Sequence, residues 1–183
     1  MTYLDAPPVV ICGAGVIGAA VAYYLSLRGI QVTIIERSAA ACAASGKSGG
    51  FLALDWCYGS PLGPLARTSF QLHAELAQAL DVDYGYRRLT TLAVASGAHG
   101  IQRPDTLPEE LTWLDSQGVP YRILGTPSTT AQVHPGQFTH ALLRAAQARG
   151  AQLRIGCVEG IKVVQGQVCG VQVDGTLLPP SGS

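Results

Sequence analysis

The stretch that most constrains this chain is Gly13-Ala14-Gly15-Val16-Ile17-Gly18, which fits G-x-G-x-x-G at a point where strand, turn and helix are expected to meet. Val9 to Cys12 is a short apolar run ending at glycine, and it predicts a strand buried on both faces. From Gly15 to Arg28, Val16, Ile17, Ala20, Val21, Tyr24 and Leu27 recur at helical spacing, and Gly29 stands where a helix would end. Gln31 to Ile35 is a second β-branched run with Glu36 at its end, so residues 9 to 36 read as a βαβ unit with parallel strands and a right-handed crossover. In such a unit Gly13 makes the tight turn, Gly15 lets a pyrophosphate approach the backbone, and Gly18 lets the helix lie against the sheet. The helix start offers free N–H groups to phosphate, and Glu36, about 20 residues further on, accepts hydrogen bonds from ribose hydroxyls. A dinucleotide is the expected ligand, and the motif alone serves FAD and NAD(P) equally. The alternative is a glycine-rich helix start followed by an unrelated acid.

Ser38 to Gly50 is rich in Ala, Ser and Gly, with Lys47 its only charge after Arg37. Small side chains let backbone approach a ligand closely, and a flexible linker is the alternative. Leu65 to Leu80 predicts an amphipathic helix carrying Leu65, Phe70, Leu72, Leu76, Ala79 and Leu80. Leu89 to Ala95 reads as a strand and Leu107 to Gln117 as a helix closed by Gly118, so residues from about 59 to 133 form an expected α+β insertion. His134-Pro135-Gly136 opens a helix over Gln137 to Arg149 with Phe138, Leu142, Leu143 and Ala146 inward. Ala151 to Ile155 follows as a strand, and Val158 to Val164 pairs with Gln167 to Val173 around Gln165-Gly166. Thr176 to Ser183 reads as an irregular tail.

Composition narrows the function classes. The 183 residues carry 12 basic and 12 acidic side chains, a balance that gives no field for attracting polyanions, so no nucleic-acid partner is expected. A 48% hydrophobic share excludes intrinsic disorder. Ala6 to Leu27 lacks charge over a length that could cross a bilayer, but its prolines and glycines fit the nucleotide turn better, and no membrane span is expected. Cys12, Cys42, Cys57, Cys157 and Cys169 form no C-x-x-C pair, which predicts free buried thiols and no metal site. Met1 to Asp5 has no basic residue, unlike a secretory signal, and the expected location is cytoplasmic. His73, His99, His134 and His140 have no acid or cysteine at a useful spacing and read as structural or exposed. Trp56 and Tyr58 read as aromatic core packing, with a position facing the cofactor as the alternative.

The extended pattern Ala22, Leu25, Gly29, Val32, Glu36 and Arg37 resembles the FAD-binding proteins of the D-amino-acid oxidase-like family. Ser45-Gly46-Lys47-Ser48-Gly49-Gly50-Phe51-Leu52-Ala53 is similar to that family's second flavin segment, and Pro135 to Leu153 followed by Cys157-Val158-Glu159-Gly160-Ile161 to its third sheet strand and the turn beyond. The resemblance implies an α/β fold: a Rossmann-like, glutathione-reductase-like FAD-binding domain with an inserted α+β substrate-domain segment, C-terminally truncated. It divides the chain into residues 1–58 and 134–175 for FAD, 59–133 for the insertion and 176–183 for the tail. It further implies hydride transfer from an amine or amino acid to FAD. Gly13, Ala14, Gly15, Val16, Ile17 and Gly18 would hold the pyrophosphate, and Glu36 and Arg37 the adenosine. Ser45, Gly46, Lys47, Ser48, Gly49 and Gly50 would serve the ribityl and ring region, and the Val158 backbone the adenine. Family members continue past the position of Val173, so the resemblance implies an incomplete substrate site, slow or absent turnover and self-association through an exposed sheet edge. A nicotinamide-dependent dehydrogenase and an inactive cofactor-binding or interaction fragment are the alternative functions.

Overall fold

The computed structural model of the chain describes residues 8–94 and 121–179, which divide into two compact units. The first holds the chain up to Gly50, Leu76–Gly85 and the chain from Val133, and the second holds Phe51–Glu75 and Tyr86–Gln132. In chain order the elements are β1 (Val9–Cys12), α1 (Val16–Ser26), β2 (Val32–Glu36), α2 (Ala44–Lys47), β3 (Phe51–Ala53), α3 (Gly63–Ala79), β4 (Arg87–Arg88) and β5 (Thr91–Val94). They continue with β6 (Tyr121–Gly125), β7 (Thr130–Gln132), α4 (Pro135–Gln147), β8 (Gln152–Ile155), β9 (Val158–Val164), β10 (Gln167–Val173) and β11 (Thr176–Leu178). The helix expected over Leu107 to Gln117 and His99 lie outside the described residues.

In the first unit β1, β2 and β8 form a parallel sheet in the order β1-β2-β8. Successive side chains of a strand alternate between faces, so Ile11 pairs with Ile34 on one face and Cys12 with Ile35 on the other. α1 lies on the Ile11 face, where a Cβ added to Gly18 would stand 3.2 Å from Ile11 Cγ2. The helix buries Ala19, Ala22, Tyr23 and Ser26, whereas Ile17, Val21, Tyr24 and Leu27 of the stripe read from the sequence turn outward. Small side chains on the inner side bring the helix backbone near the strands, and the branched residues have no room there. α4 packs on α1 and buries Phe138, Leu142, Leu143 and Ala146. His134 caps α4, its Nδ1 accepting from the Gln137 N–H at 3.2 Å, with Pro135 at the first helical position.

The opposite face of the parallel sheet is covered by the antiparallel sheet β11-β10-β9, with Ile35, Val171 and Val173 in the core and Val10, Val158 and Leu178 packed around them. Its hairpins turn on two residues each, Gln165-Gly166 (φ 51° and 79°) and Asp174-Gly175 (φ 47° and 75°). Positive φ at both central residues is the turn whose twist matches paired strands. The second turn corrects the expected tail: Thr176–Leu178 is a strand, with Thr176 opposite Val173 and Leu178 opposite Val171. Asp-Gly is a strong hairpin signal, and it outweighs the prolines that follow.

The second unit pairs β3, β7 and β4 in the order β3-β7-β4, and β5 with β6. The strand expected over Leu89 to Ala95 is present as β5, Thr91–Val94, with Ala95 outside the described residues, and β4 just before it belongs to the other sheet. Thr130 Oγ1 donates to the Leu89 carbonyl at 2.7 Å, and the Arg88 guanidinium sits 4.3 Å above the Phe70 ring. Trp56 and Tyr58 are not core residues: Tyr58 is 84% exposed, and Trp56 is half exposed with its indole N–H donating to the Leu124 carbonyl at 3.0 Å. Leu65 of α3 is likewise outward, while Phe70 and Leu76 are buried.

Candidate functional site

The glycine motif occupies the passage from β1 to α1. Gly13 has φ 103°, a conformation that a side chain resists, and its N–H donates to the Ile35 carbonyl at 2.7 Å, tying the turn to the end of β2. Gly15 is the N-cap of α1, and a Cβ there would meet Ser45 Oγ at 3.0 Å. At Gly18 a Cβ would overlap the Gly13 carbonyl, so the helix start and the turn fit together only without it. Val16, Ile17 and Gly18 form the first turn of α1, whose N–H groups have no acceptor within the helix. One of them, on Val16, donates to Ser45 Oγ at 2.9 Å.

Glu36 closes β2 and turns its carboxylate to this same loop. Oε2 accepts from the Ala14 N–H at 2.9 Å, and Oε1 accepts from the Ser38 N–H at 3.1 Å and the Ser38 hydroxyl at 3.5 Å. The Ala14 N–H holds the Glu36 carboxyl below its usual range, partial burial opposes this, and Ser38 and the Arg37 charge add to the lowering. A carboxylate has about four lone-pair positions, so an acceptor site remains for a hydroxyl donor.

Gly156 N–H donates to the Glu36 carbonyl at 2.9 Å, bringing the turn after β8 beside Glu36. There a cavity of ≈ 240 Å³ opens at the carboxyl ends of the parallel strands, lined by Cys12, Gly13, Glu36, Arg37, Cys157 and Val158 among others. This is the end of a parallel sheet at which ligands bind. A larger cavity of ≈ 680 Å³ at the other end of the strands, beside Gln31 and Arg149, includes none of the glycine-motif residues.

The fold therefore gathers Gly13, Ala14, Gly15, Val16, Gly18, Glu36, Arg37, Ser45 and Val158 into one region. Ile17 points outward at 76% exposure, and Lys47, Ser48 and Gly49 are exposed around the end of α2. Gly50 belongs to the scaffold, since a Cβ there would overlap the Val133 carbonyl. Gly46 sits as tightly against the Ala41 carbonyl. Sequence reasoning missed Ser38, whose only signal is its place two residues after Glu36, and Asp174. The latter accepts from the Cys157 N–H at 3.0 Å and returns its own N–H to the Cys157 carbonyl at 3.1 Å. The five cysteines are free, but the expectation that they are buried fails: Cys12, Cys42 and Cys157 are exposed.

The FAD dependent oxidoreductase family matches residues 8–178. The chain belongs to that family. An oxidoreductase-named protein of Schizosaccharomyces pombe, with no stated substrate, is 33% identical over 172 residues, covering 89% of this chain and 42% of that protein. The bifunctional protein ThiO/ThiG of Nostoc sp. is 31% identical over 186 residues, covering 91% of this chain and 28% of that protein. Glycine oxidase from Bacillus cereus superposes with a TM-score of 0.71 at 24% identity, covering 94% of this chain and 54% of that one. L-Amino acid deaminase from Proteus myxofaciens superposes with a TM-score of 0.76 at 22% identity, covering 94% and 43%. These likenesses show a shared mixed α/β fold, and the chain spans less than half the length of the curated relatives it matches. The family's cofactor is FAD, so the nicotinamide alternative is not favoured. The residues fit such a group: the turn is a cradle that a Cβ at Gly15 or Gly18 would fill, and Glu36 keeps a free acceptor position.

Proposed function

We propose that these residues hold FAD in a Rossmann-like domain, and that the protein they belong to oxidises an amine or amino acid at a C–N bond. When bound, FAD supplies the hydride acceptor. The chain's own residues bind and orient it. Glu36 accepts the ribose hydroxyls, the turn Gly13 to Gly18 and the α1 N-terminus face the pyrophosphate, and the backbone of Val158 meets the adenine. Arg37 serves the adenosine, and Ser45, Gly46, Lys47, Ser48, Gly49 and Gly50 the ribityl and ring region. Residues 1–58 and 134–175 make the FAD-binding part and 59–133 an inserted substrate-domain segment. The names of the similar solved proteins, an oxidase of glycine and a deaminase of L-amino acids, support the substrate class. β1 ends the parallel sheet as an edge strand among the described residues, and we infer self-association through it.

The observation that carries this reading is the Glu36 carboxylate at the end of β2, hydrogen-bonded to Ala14 of the glycine turn and facing the cavity that Val158 lines. Titration of the purified chain with FAD, followed by flavin fluorescence and by retention of yellow colour through gel filtration, tests it. The expected result is saturable FAD binding that ADP displaces and FMN does not. FAD that elutes free of the chain would overturn the reading.

A further inference from the structure

The mouth of the Glu36 cavity carries two thiols. Cys12 ends β1, Cys157 follows β8, both are exposed, and both line the cavity with Glu36 and Val158. Both are free thiols, and β2 lies between β1 and β8, the strand that Cys157 follows. The Gly156 N–H, bonded to the Glu36 carbonyl, holds Cys157 on the far flank of β2. The backbone of Cys157 is fixed as well, by the reciprocal hydrogen bonds with Asp174 at 3.0 and 3.1 Å. The attachment point of an adduct on its sulfur is therefore fixed at the cavity.

We propose that Cys12 and Cys157 form a thiol-modification site at which a mixed disulfide with a low-molecular-weight disulfide, of the class of oxidised glutathione, and the adenosine end of the cofactor exclude each other. The inference rests on the FAD reading above. The thiolate attacks one sulfur of the reagent, whose S–S bond breaks as the new S–S bond forms. The departing thiolate takes up the proton lost by the cysteine, so no other oxidant is needed. A tripeptide-sized adduct fills a cavity of ≈ 240 Å³, and a bound adenosine shields both sulfurs in turn.

The test follows adduct formation at each cysteine by peptide mass spectrometry while the chain reacts with oxidised glutathione, with and without FAD. With FAD at roughly 100 times its Kd, Cys12 and Cys157 should react roughly 100-fold more slowly, since only the unliganded fraction reacts. Cys169 on β10, outside the cavity, supplies the reference rate and should be unaffected. In a second arm the fully modified chain should bind FAD at least roughly tenfold more weakly, a loss of about 1.4 kcal/mol, and dithiothreitol should restore the affinity. Equal rates with and without FAD, absence of adducts at both cysteines, or unchanged FAD affinity after modification would each overturn the inference while leaving the FAD reading intact. A chain that binds no FAD in the titration overturns both.

Discussion

Gly13 to Gly18 and Ser45 to Gly50 are both built of small residues, and they reach their shapes by different routes. In the first, the tightest steric constraint is local, although Ala14 and Val16 are also tied to Glu36 and Ser45. Gly13 turns directly after β1, and Gly18 must clear the carbonyl of Gly13 only five positions earlier. In the second, Gly46 is held locally against Ala41, and the other constraints come from far along the chain. Ser45 bonds to Val16, and Gly50 lies against Val133 and Pro135. The first stretch owes its tightest fit to its own sequence, whereas the second takes more of its form from distant elements it touches.

The sharpest break of this contrast is Gly18→Val. The new side chain overlaps the Gly13 carbonyl and presses on Ile11, so α1 must lift from β1, at a cost of about 3 kcal/mol, the upper end of overpacking. Urea denaturation should show a lowered midpoint with no FAD needed in the assay. Gly15→Val stands next. As an N-cap valine costs only about 1 kcal/mol of stability, yet it crowds Ser45 and the approach to the α1 N-terminus, and flavin retention should be lost. A Gly15→Val chain that folds and still elutes yellow would mean the pyrophosphate lies elsewhere.

Glu36→Ala sharpens the comparison by removing the carboxylate that braces the first stretch at Ala14. Losing a charge-assisted hydrogen bond should weaken FAD binding by about 1.5 to 3 kcal/mol in a flavin fluorescence titration. The same carboxylate makes stability depend on pH. Its folded-state pKa is lowered, so its contribution is present above the ordinary carboxylate value and fades as pH falls through the folded one. The gap in melting temperature between the native chain and Glu36→Gln should therefore be widest near neutral pH and narrow below about pH 4. A gap that is constant from pH 7 to pH 3 would deny Glu36 that role.

The same local-versus-distant division explains what could be read in advance. β1, α1, β2, α4, β8 and the β9–β10 hairpin lie where the sequence puts them, give or take their ends, because apolar period and turn residues act within a few positions. β3, β6 and β7 escaped notice: β3 and β7 are three residues each, and all three pair with strands distant in sequence, as with Phe51 opposite Gln132. The face of α1 was misread for a related reason, since Val, Ile and Tyr outrank Ala in hydrophobicity while the close approach to the strands selects Ala19 and Ala22. Within the site, Gly13, Gly18 and Glu36 were legible from spacing. Ser38 and Asp174 were not, because what they do depends on which backbone N–H the folded chain brings to them.

Ser45→Ala is the smallest of these changes and the one that probes the meeting of the two stretches. Its hydroxyl accepts the Val16 N–H at 2.9 Å, in the place of a side-chain cap that Gly15 cannot provide. Removing it leaves that N–H to solvent and should cost about 1 kcal/mol of stability, as for other helix caps. Measured again with saturating FAD, the difference should shrink, because a phosphate oxygen at the α1 N-terminus supplies the lost acceptor. An undiminished difference would instead mean that serine and phosphate use separate N–H groups, and the second stretch would then hold the helix start in the free and bound chain alike.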